Sequence, residues 1–370
     1  MTSPKVILSG GGTGGHIFPA VAIAQEIKRR FPDADLLFIG AHNKMEMEKV
    51  PQAGFRIEGL NIAGFDRSNK MKNFSLPYKI VSSFWTALRI VKDFRPDIVI
   101  GTGGYASGPA LWAAGRKGVP TFIQEQNAFP GVTNRFLARR ARAVFTAYPG
   151  MDHFFPYSKT LFLGNPVRPN ISGENLTKLE ARQQLGLDPQ KFVILSVGGS
   201  LGARSINNFW KTYLPELRRN DLQLIWQTGK TDHAKLSEGL QKELAEMPNV
   251  LMTEFLTDMS TAYAAADIVV SRAGAIAISE LAVVGKPIIL VPYPFAAADH
   301  QTHNAEELAS AGAAVVVKDA ELAINFRPAL EKLITDAPLR ESLSQNLTKI
   351  ARPDATVEIV DHVFNTLYKQ

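Results

Sequence analysis

The chain has 370 residues, 45% of them apolar and 21% charged, with no cysteine and a net charge of +6. That length is about twice a common single domain, so a soluble two-domain protein is expected; the lack of cysteine excludes a disulfide framework and thiolate chemistry. Residues 1–165 carry 21 Lys/Arg against 11 Asp/Glu, a balance of +10, while the remainder stands at −4, which directs the basic half toward an acidic partner such as anionic lipid or nucleic acid.

The sequence begins with a short apolar strand, "KVILSG", too brief for the core of a secretion signal. It runs through "GGTGGHIFPA" into an amphipathic helix over 20–30. "DLLFIG" is the next strand. "FSLPYKIVSSFWTALRIVK" (74–92) then reads as a helix, with Ser75 as its cap and Pro77 in its first turn. "DIVIGTGG" and "PTFIQEQN" are further strands, and "FVILSVGG", "LQLIWQTG", "ADIVVSRAG" and "PIILVPYP" repeat the theme in the second half. Apolar runs without polar alternation are those of buried parallel strands, and with helices between them they make two successive βαβ arrays. The junction falls in "GNPVRPNISGEN" (164–175), where proline and glycine break the periodicity. The expected domains are 1–165 and 166–352, with a last helix over about 353–370 able to pack on either. The most apolar long stretch, 264–292, is interrupted by Asp267, Arg272, Glu280 and Lys286, so no membrane span is expected.

Glycine-rich turns follow strands at 10–15, 101–108 and 198–202, and "SRAGA" (271–275) has the same placement. Glycine allows a sharp turn and close ligand approach, and the helix N-terminus beyond offers unpaired N–H groups to phosphate. Repeated at strand C-terminal ends of two doubly wound sheets, these turns predict a ligand cleft. Gly10, Gly12 and Gly15 fit GxGxxG, but the second strand ends "FIGAH" without the carboxylate that a dinucleotide ribose needs. His16-Ile17 stands where an ATPase loop needs Lys-Ser/Thr. "DAD" (33–35) precedes its strand and reads as a solvated loop rather than a metal-binding pair.

The motifs "GGTGGHIFPA", "GGYASGP", "EQNAFPGVTN", "GNPVR", "GGSLGAR" and "SRAGAIAISELAVVGKPIILVPYPFAAADHQTHNA" strongly resemble those of the MurG-type N-acetylglucosaminyltransferases, in order from about Gly11 to Asn304. The resemblance implies a GT-B fold of two Rossmann-like parallel-sheet domains facing across a cleft. It implies inverting transfer of N-acetylglucosamine from UDP-N-acetylglucosamine to the 4-hydroxyl of the undecaprenyl-diphosphate-linked muramoyl pentapeptide (lipid I to lipid II) in peptidoglycan synthesis. No metal or other cofactor is implied. The implied location is the cytoplasmic face of the bacterial inner membrane, with a wall-synthesis protein complex as a candidate partner. A different lipid glycosyltransferase, a UDP-sugar epimerase and a non-catalytic nucleotide-sugar-binding module are the alternatives. A nucleic-acid partner is set aside because the basic half carries no recognition motif.

By the same resemblance the second domain takes the donor: Ser200 and Arg168 at the diphosphate, Ala275 at the start of the helix after "SRAG", Glu280 on the ribose, the Leu256 backbone on the uracil, and Gln301 on the sugar. Thr302 stands where family members often have a second glutamine. The first domain takes the acceptor, with Thr13, Gly14 and Gly15 at its diphosphate, Gly104 and Tyr105 in the second turn, and Asn127 and Asn134 beside it. His16 is the expected general base for the attacking hydroxyl, a task suited to a neutral imidazole; Glu125 is the rival.

The helix at 74–92 carries two apolar stripes. The stripe Phe74, Tyr78, Val81, Trp85 and Leu88 is expected to pack on the sheet, and Leu76, Ile80 and Phe84 to face outward. Lys72, Lys79 and Arg89 lie around them, so Ile80, Phe84 and Trp85 with these cations are the candidate patch for an anionic membrane surface.

Overall fold

The computed structural model describes residues 3–62, 76–167, 171, 176–219 and 222–368. The chain forms two compact units, Met1–Arg168 with Arg352–Gln370, and Pro169–Ala351.

In the first unit β1 (Lys5–Gly10), α1 (Gly14–Arg30), β2 (Asp35–Ala41), α2 (Glu46–Gln52) and β3 (Arg56–Leu60) are followed by α3 (Leu76–Phe94), β4 (Ile98–Gly103), α4 (Ser107–Arg116), β5 (Thr121–Glu125), α5 (Val132–Ala138), β6 (Ala143–Thr146) and β7 (Thr160–Phe162). The strands form one parallel sheet of order β3-β2-β1-β4-β5-β6-β7. All six residues of β4 are buried, as a central strand covered on both faces requires.

The second unit holds α6 (Lys178–Gln184), β8 (Val193–Val197), α7 (Arg204–Arg219), β9 (Gln223–Gln227), α8 (His233–Ala245), β10 (Val250–Thr253), α9 (Met259–Ala265), β11 (Ile268–Ser271), α10 (Ala275–Val284), β12 (Ile288–Leu290), α11 (His300–Ser310), β13 (Val315–Val316), α12 (Arg327–Thr335) and α13 (Ala337–Ile350). Its parallel sheet runs β10-β9-β8-β11-β12-β13. Trp210 and Trp226 are wholly buried in its core, and each indole N–H is satisfied, by Ser196 Oγ at 2.7 Å and Asn207 Oδ1 at 3.0 Å.

The strands read from sequence are present, and β3, β6, β7, β10 and β13 extend the sheets beyond them. The last helix, α14 (Ala355–Tyr368), packs on α1 of the first unit. Phe364 meets Phe31 at 4.6 Å between ring centroids, and Ile359, Val360 and Val363 join the core around β1 and α1. Glu26 accepts hydrogen bonds from Arg29 and Arg30, and Arg30 also pairs with Asp361.

α3 buries neither of the expected stripes as a whole. Its buried residues are Ser83, Ala87, Ile90 and Val91. Tyr78, Val81 and Trp85, expected against the sheet, are exposed, Trp85 by 70%; Ile80 is exposed as expected. Phe84 is half-buried and stands edge-on to Trp112 at 4.7 Å. The physical reason is close approach: α3 packs tightly on α4, and small residues admit a neighbouring helix where aromatic rings do not. Lys72, Phe74 and Ser75 lie outside the described residues.

Candidate active site

Counted from its own first strand, each unit has the order 3-2-1-4-5-6, with a seventh strand added at the end in the first unit, so the order reverses between β1 and β4 and between β8 and β11. That switch point is where open α/β sheets bind ligands. The four glycine turns follow these four strands.

In the first unit the turns after β1 and β4 pack backbone to backbone. Gly11 N–H donates to Gly103 O at 3.3 Å. Gly104, at φ +85°, lies so close that a Cβ there would overlap the Gly11 carbonyl oxygen, so these positions require glycine. Glu46, wholly buried at the start of α2, braces the first turn: its Oε2 accepts from Gly12 N–H at 2.9 Å and its Oε1 from Ala41 N–H at 3.0 Å. Thr13 caps α1 in extended conformation, and Gly14 and Gly15 are its first residues. Their N–H groups precede any intrahelical acceptor and sit at the positive end of the dipole.

His16 is half-buried in the same helical turn. Its Nδ1 lies 3.0 Å from Thr102 O and 2.9 Å from Gln126 Oε1. Both are acceptors, so Nδ1 carries a proton, and in the neutral ring Nε2 then presents its lone pair. A Cβ on Gly103 would stand 2.7 Å from this imidazole. Half-exposed Tyr105 and the start of α4 lie beyond the second turn.

Glu125, at the end of β5, is buried with both oxygens occupied. Oε1 accepts from the Asn127 backbone at 3.0 Å and its side chain at 3.3 Å; Oε2 accepts from Gly131 N–H at 3.1 Å and Asn134 Nδ2 at 2.8 Å. The carboxylate therefore folds the 126–134 loop. Asn134 Oδ1 and Ser107 Oγ are buried without a protein partner, an expense that a polar ligand can relieve.

An apolar pocket of about 430 Å³ starts at Tyr105 and Gly108 and is walled by Ile80, Phe84, Trp112 and Phe136. Phe136 and Val132 at its edge are 76% and 72% exposed. Tyr78, Val81 and Trp85, elsewhere on α3, are exposed as well; large exposed apolar groups of this kind mark interaction sites. Lys79 and Arg89 belong to the same helix, and Arg89 lies 3.6 Å from Asp93. Among the described residues no helix is long and apolar enough to cross a membrane.

In the second unit Ser200 is exposed on the turn after β8. Gly199 and Gly202 have φ +84° and +87°, and Lys230 N–H donates to Ser200 O at 3.1 Å, tying the turn to the end of β9. Buried Gln227 joins two loops: its Nε2 donates to Gly199 O at 3.1 Å and its Oε1 accepts from Leu256 N–H at 3.0 Å. The Leu256 N–H is thereby spent. Ala275 is the first residue of α10, and Glu280 further along that helix is buried rather than a surface glutamate. Gln301, in the first turn of α11, accepts from Tyr293 N–H at 3.0 Å through Oε1. Thr302 bonds Asp299 at 2.7 Å. Ala298 and Asp299 just before α11 have φ +51° and +53°, backbone strain of the kind that collects at ligand sites. Arg168 lies outside the described residues. Among the described residues no three His, Asp or Glu side chains are grouped as metal ligands.

Glu46, Gln126, Thr102 and Gln227 carry much of this geometry; Gln126, Thr102 and Gln227 lie inside the quoted segments, but the sequence singles out none of the four as a site residue. The structure brings Thr13, Gly14, Gly15, His16 and Gly104 together around the first switch point, and Glu125, Asn127 and Asn134 around the loop after β5. Ser200 and Leu256 are linked through Gln227.

Two doubly wound units, each with paired glycine turns at its switch point, are the framework of a GT-B glycosyltransferase. The chain belongs to glycosyltransferase family 28: the family's N-terminal domain matches residues 6–146 and its C-terminal domain residues 193–358. It is 51% identical over 360 residues to a UDP-N-acetylglucosamine–N-acetylmuramyl-(pentapeptide) pyrophosphoryl-undecaprenol N-acetylglucosamine transferase of Bacteroides fragilis, covering 97% of this chain and 94% of the relative. A protein of the same name from Parabacteroides distasonis is 46% identical over 370 residues, with both chains covered in full. The crystal structure of Acinetobacter baumannii MurG superposes with a TM-score of 0.76 at 30% identity, covering 98% of this chain and 99% of that one.

Proposed function

We propose that this enzyme transfers N-acetylglucosamine from UDP-N-acetylglucosamine to the 4-hydroxyl of the undecaprenyl-diphosphate-linked muramoyl pentapeptide, inverting the anomeric centre, in peptidoglycan synthesis. The observation that carries the reaction is His16, with Nδ1–H committed to Thr102 and Gln126 and Nε2 left basic. The acceptor hydroxyl attacks the anomeric carbon, its proton passes to His16 Nε2, and UDP departs with the bonding pair. Glu125, occupied on both oxygens, shapes the loop that presents Asn127 and Asn134 and is not the base. Thr13, Gly14, Gly15 and Gly104 hold the lipid diphosphate at the start of α1, and Tyr105 meets the acceptor beside it.

The donor occupies the second unit. Ser200 and the N-terminus of α7 receive its diphosphate, with Arg168 as counter-charge; Ala275 starts the helix that carries Glu280 to the ribose. The Leu256 carbonyl receives the uracil N–H, and Gln301 reads the sugar. Fixed N–H dipoles and a guanidinium stabilise the leaving diphosphate, so no metal or cofactor is needed. The exposed face of α3 with Ile80, Trp85, Lys79 and Arg89, and Phe84 at the pocket wall, rests on the anionic cytoplasmic face of the inner membrane, with Lys72, which precedes the helix in sequence, as a further cation for it; the lipid substrate resides there and a wall-synthesis complex is the candidate neighbour.

The names of the full-length relatives support this reading over a different lipid glycosyltransferase, an epimerase or a binding module. Transfer of labelled sugar to a short-chain lipid I analogue, with and without EDTA, tests it. Turnover undiminished by EDTA is expected. Sugar-nucleotide binding without transfer would leave the binding-module reading, and conversion of free UDP-N-acetylglucosamine would leave the epimerase.

A further inference from the structure

A chain of buried amides lies under His16. Gln124 Nε2 donates to Asn165 Oδ1 at 2.8 Å, and Asn165 Nδ2 donates to the Gln126 carbonyl at 3.1 Å. Gln126 Nε2 donates to Thr102 O at 2.7 Å, to Gln124 O at 3.1 Å and to Gln124 Oε1. Gln124, Gln126 and Asn165 are all at most 2% exposed. The Gln126 amide has one possible orientation. Turned over, its oxygen would face three acceptor oxygens at hydrogen-bond distance, an uncompensated buried repulsion. With Nε2 on those oxygens, Oε1 must face His16 Nδ1, where it is found at 2.9 Å.

We infer that Gln126 is a positioning residue for the transfer reaction: its locked side chain holds His16 in the Nδ1–H tautomer and so keeps Nε2 as the proton acceptor. Thr102 O supplies a second acceptor for the same N–H at 3.0 Å, so the tautomer is fixed from β4 and from the strand end after β5 together. The ionisable neighbours do not set it. Glu46 of α2 spends its oxygens on Gly12 and Ala41, Glu125 of β5 spends its own on Asn127, Gly131 and Asn134, and Tyr105 lies past the second turn. A neutral amide is chemically apt here. A carboxylate in its place would stabilise the imidazolium and hold the proton after the base should be free.

The inference rests on the base role proposed for His16, but its first test is independent of activity. Nitrogen-15 NMR of ring-labelled histidine, with the His16 signal assigned by its loss in His16→Gln, is expected to show a pyrrole-type Nδ1 and a pyridine-type Nε2 at neutral to alkaline pH. A protonated Nε2 in the wild-type enzyme overturns the inference. Gln126→Met leaves Thr102 O as the remaining acceptor for Nδ1–H, so it should admit a detectable share of the Nε2–H tautomer and lower kcat by up to about tenfold, the rate equivalent of one hydrogen bond, with donor KM within about twofold. Gln126→Glu should move the acid limb of the pH–rate profile upward by about one unit. If folded Gln126→Met keeps the wild-type tautomer, rate and acid limb, Gln126 has only a packing role. Failure of transfer in the wild type, with the expected NMR pattern intact, would count against the proposed reaction and leave the tautomer assignment standing.

Discussion

At the scale of the residue, one imidazole and a few glycines carry the argument. Replacing His16 by Ala removes the proton acceptor and leaves the second unit untouched. The expected outcome is a fall in kcat of about 10²- to 10⁴-fold, with UDP affinity by calorimetry unchanged; near-normal turnover would strip His16 of the base role. Gly104→Ala tests the joined turns. Its φ of +85° and the adjacent Gly11 carbonyl forbid a methyl group there, so a loss of about 1–3 kcal/mol in stability and a raised acceptor KM are expected from denaturation and initial rates. The glycines and His16 were legible in the sequence because the turn after a parallel strand has a local signature. The roles of Glu46 and Gln126 were not, because their partners lie 34 and 110 residues away: Glu46 has no local mark, and the motif around Gln126 does not say which side chain it faces. A separation of 29 residues likewise hid Gln227, which takes the Leu256 N–H.

At the scale of the element, the central strands announce themselves: "DIVIGTGG" has no alternation because β4 is buried on both faces. The short edge strands do not, since β7 has three residues and β13 two. α3 shows a different limit. Helical periodicity gives stripes but not their direction, and here the inward stripe contains Ser83 and Ala87, while Trp85 and Tyr78 point out. Exposed rings on a helix without a core to reach are suited to the interfacial zone of a bilayer. Replacing Tyr78, Val81 and Trp85 together by Ser should reduce binding to anionic vesicles by at least about tenfold, since each buried ring contributes more than 1 kcal/mol. Turnover on a water-soluble acceptor analogue and the circular dichroism spectrum should be unaffected. Sedimentation with vesicles measures the first; binding as strong as wild type would detach the membrane role from this face.

At the scale of the whole molecule, the chain leaves the first unit near Arg168 and returns at Arg352, so the first unit is completed by residues that follow the second unit in sequence. The sequence showed the last helix but not its address, because the pairing of Phe364 with Phe31 and of Asp361 with Arg30 spans more than 300 residues. This joint is acid-sensitive at two groups. Burial lowers the His362 imidazole from its ordinary 6.5, its ring standing edge-on to Phe145 at 5.5 Å. The unfolded chain therefore takes up that proton first, and stability declines as pH falls below about 6.5. Glu26 is held down from 4.5 to about 2, chiefly by its hydrogen bond from Arg29 and further by Arg30, against the opposing effect of burial. A lowered carboxylate stabilises the fold above its unfolded value, and the contribution is lost as pH falls from 4.5 through 2. Urea denaturation across pH should show both slopes. His362→Phe should flatten the decline between pH 7 and 5 and leave the lower one. Glu26→Gln should flatten the lower one at a cost of up to about 3 kcal/mol at neutral pH. Hydrogen exchange locates the event: acid should first deprotect amides of α14 and the facing side of α1, ahead of the second unit. Uniform loss of protection across both units would refute this joint as the acid-labile part of the enzyme.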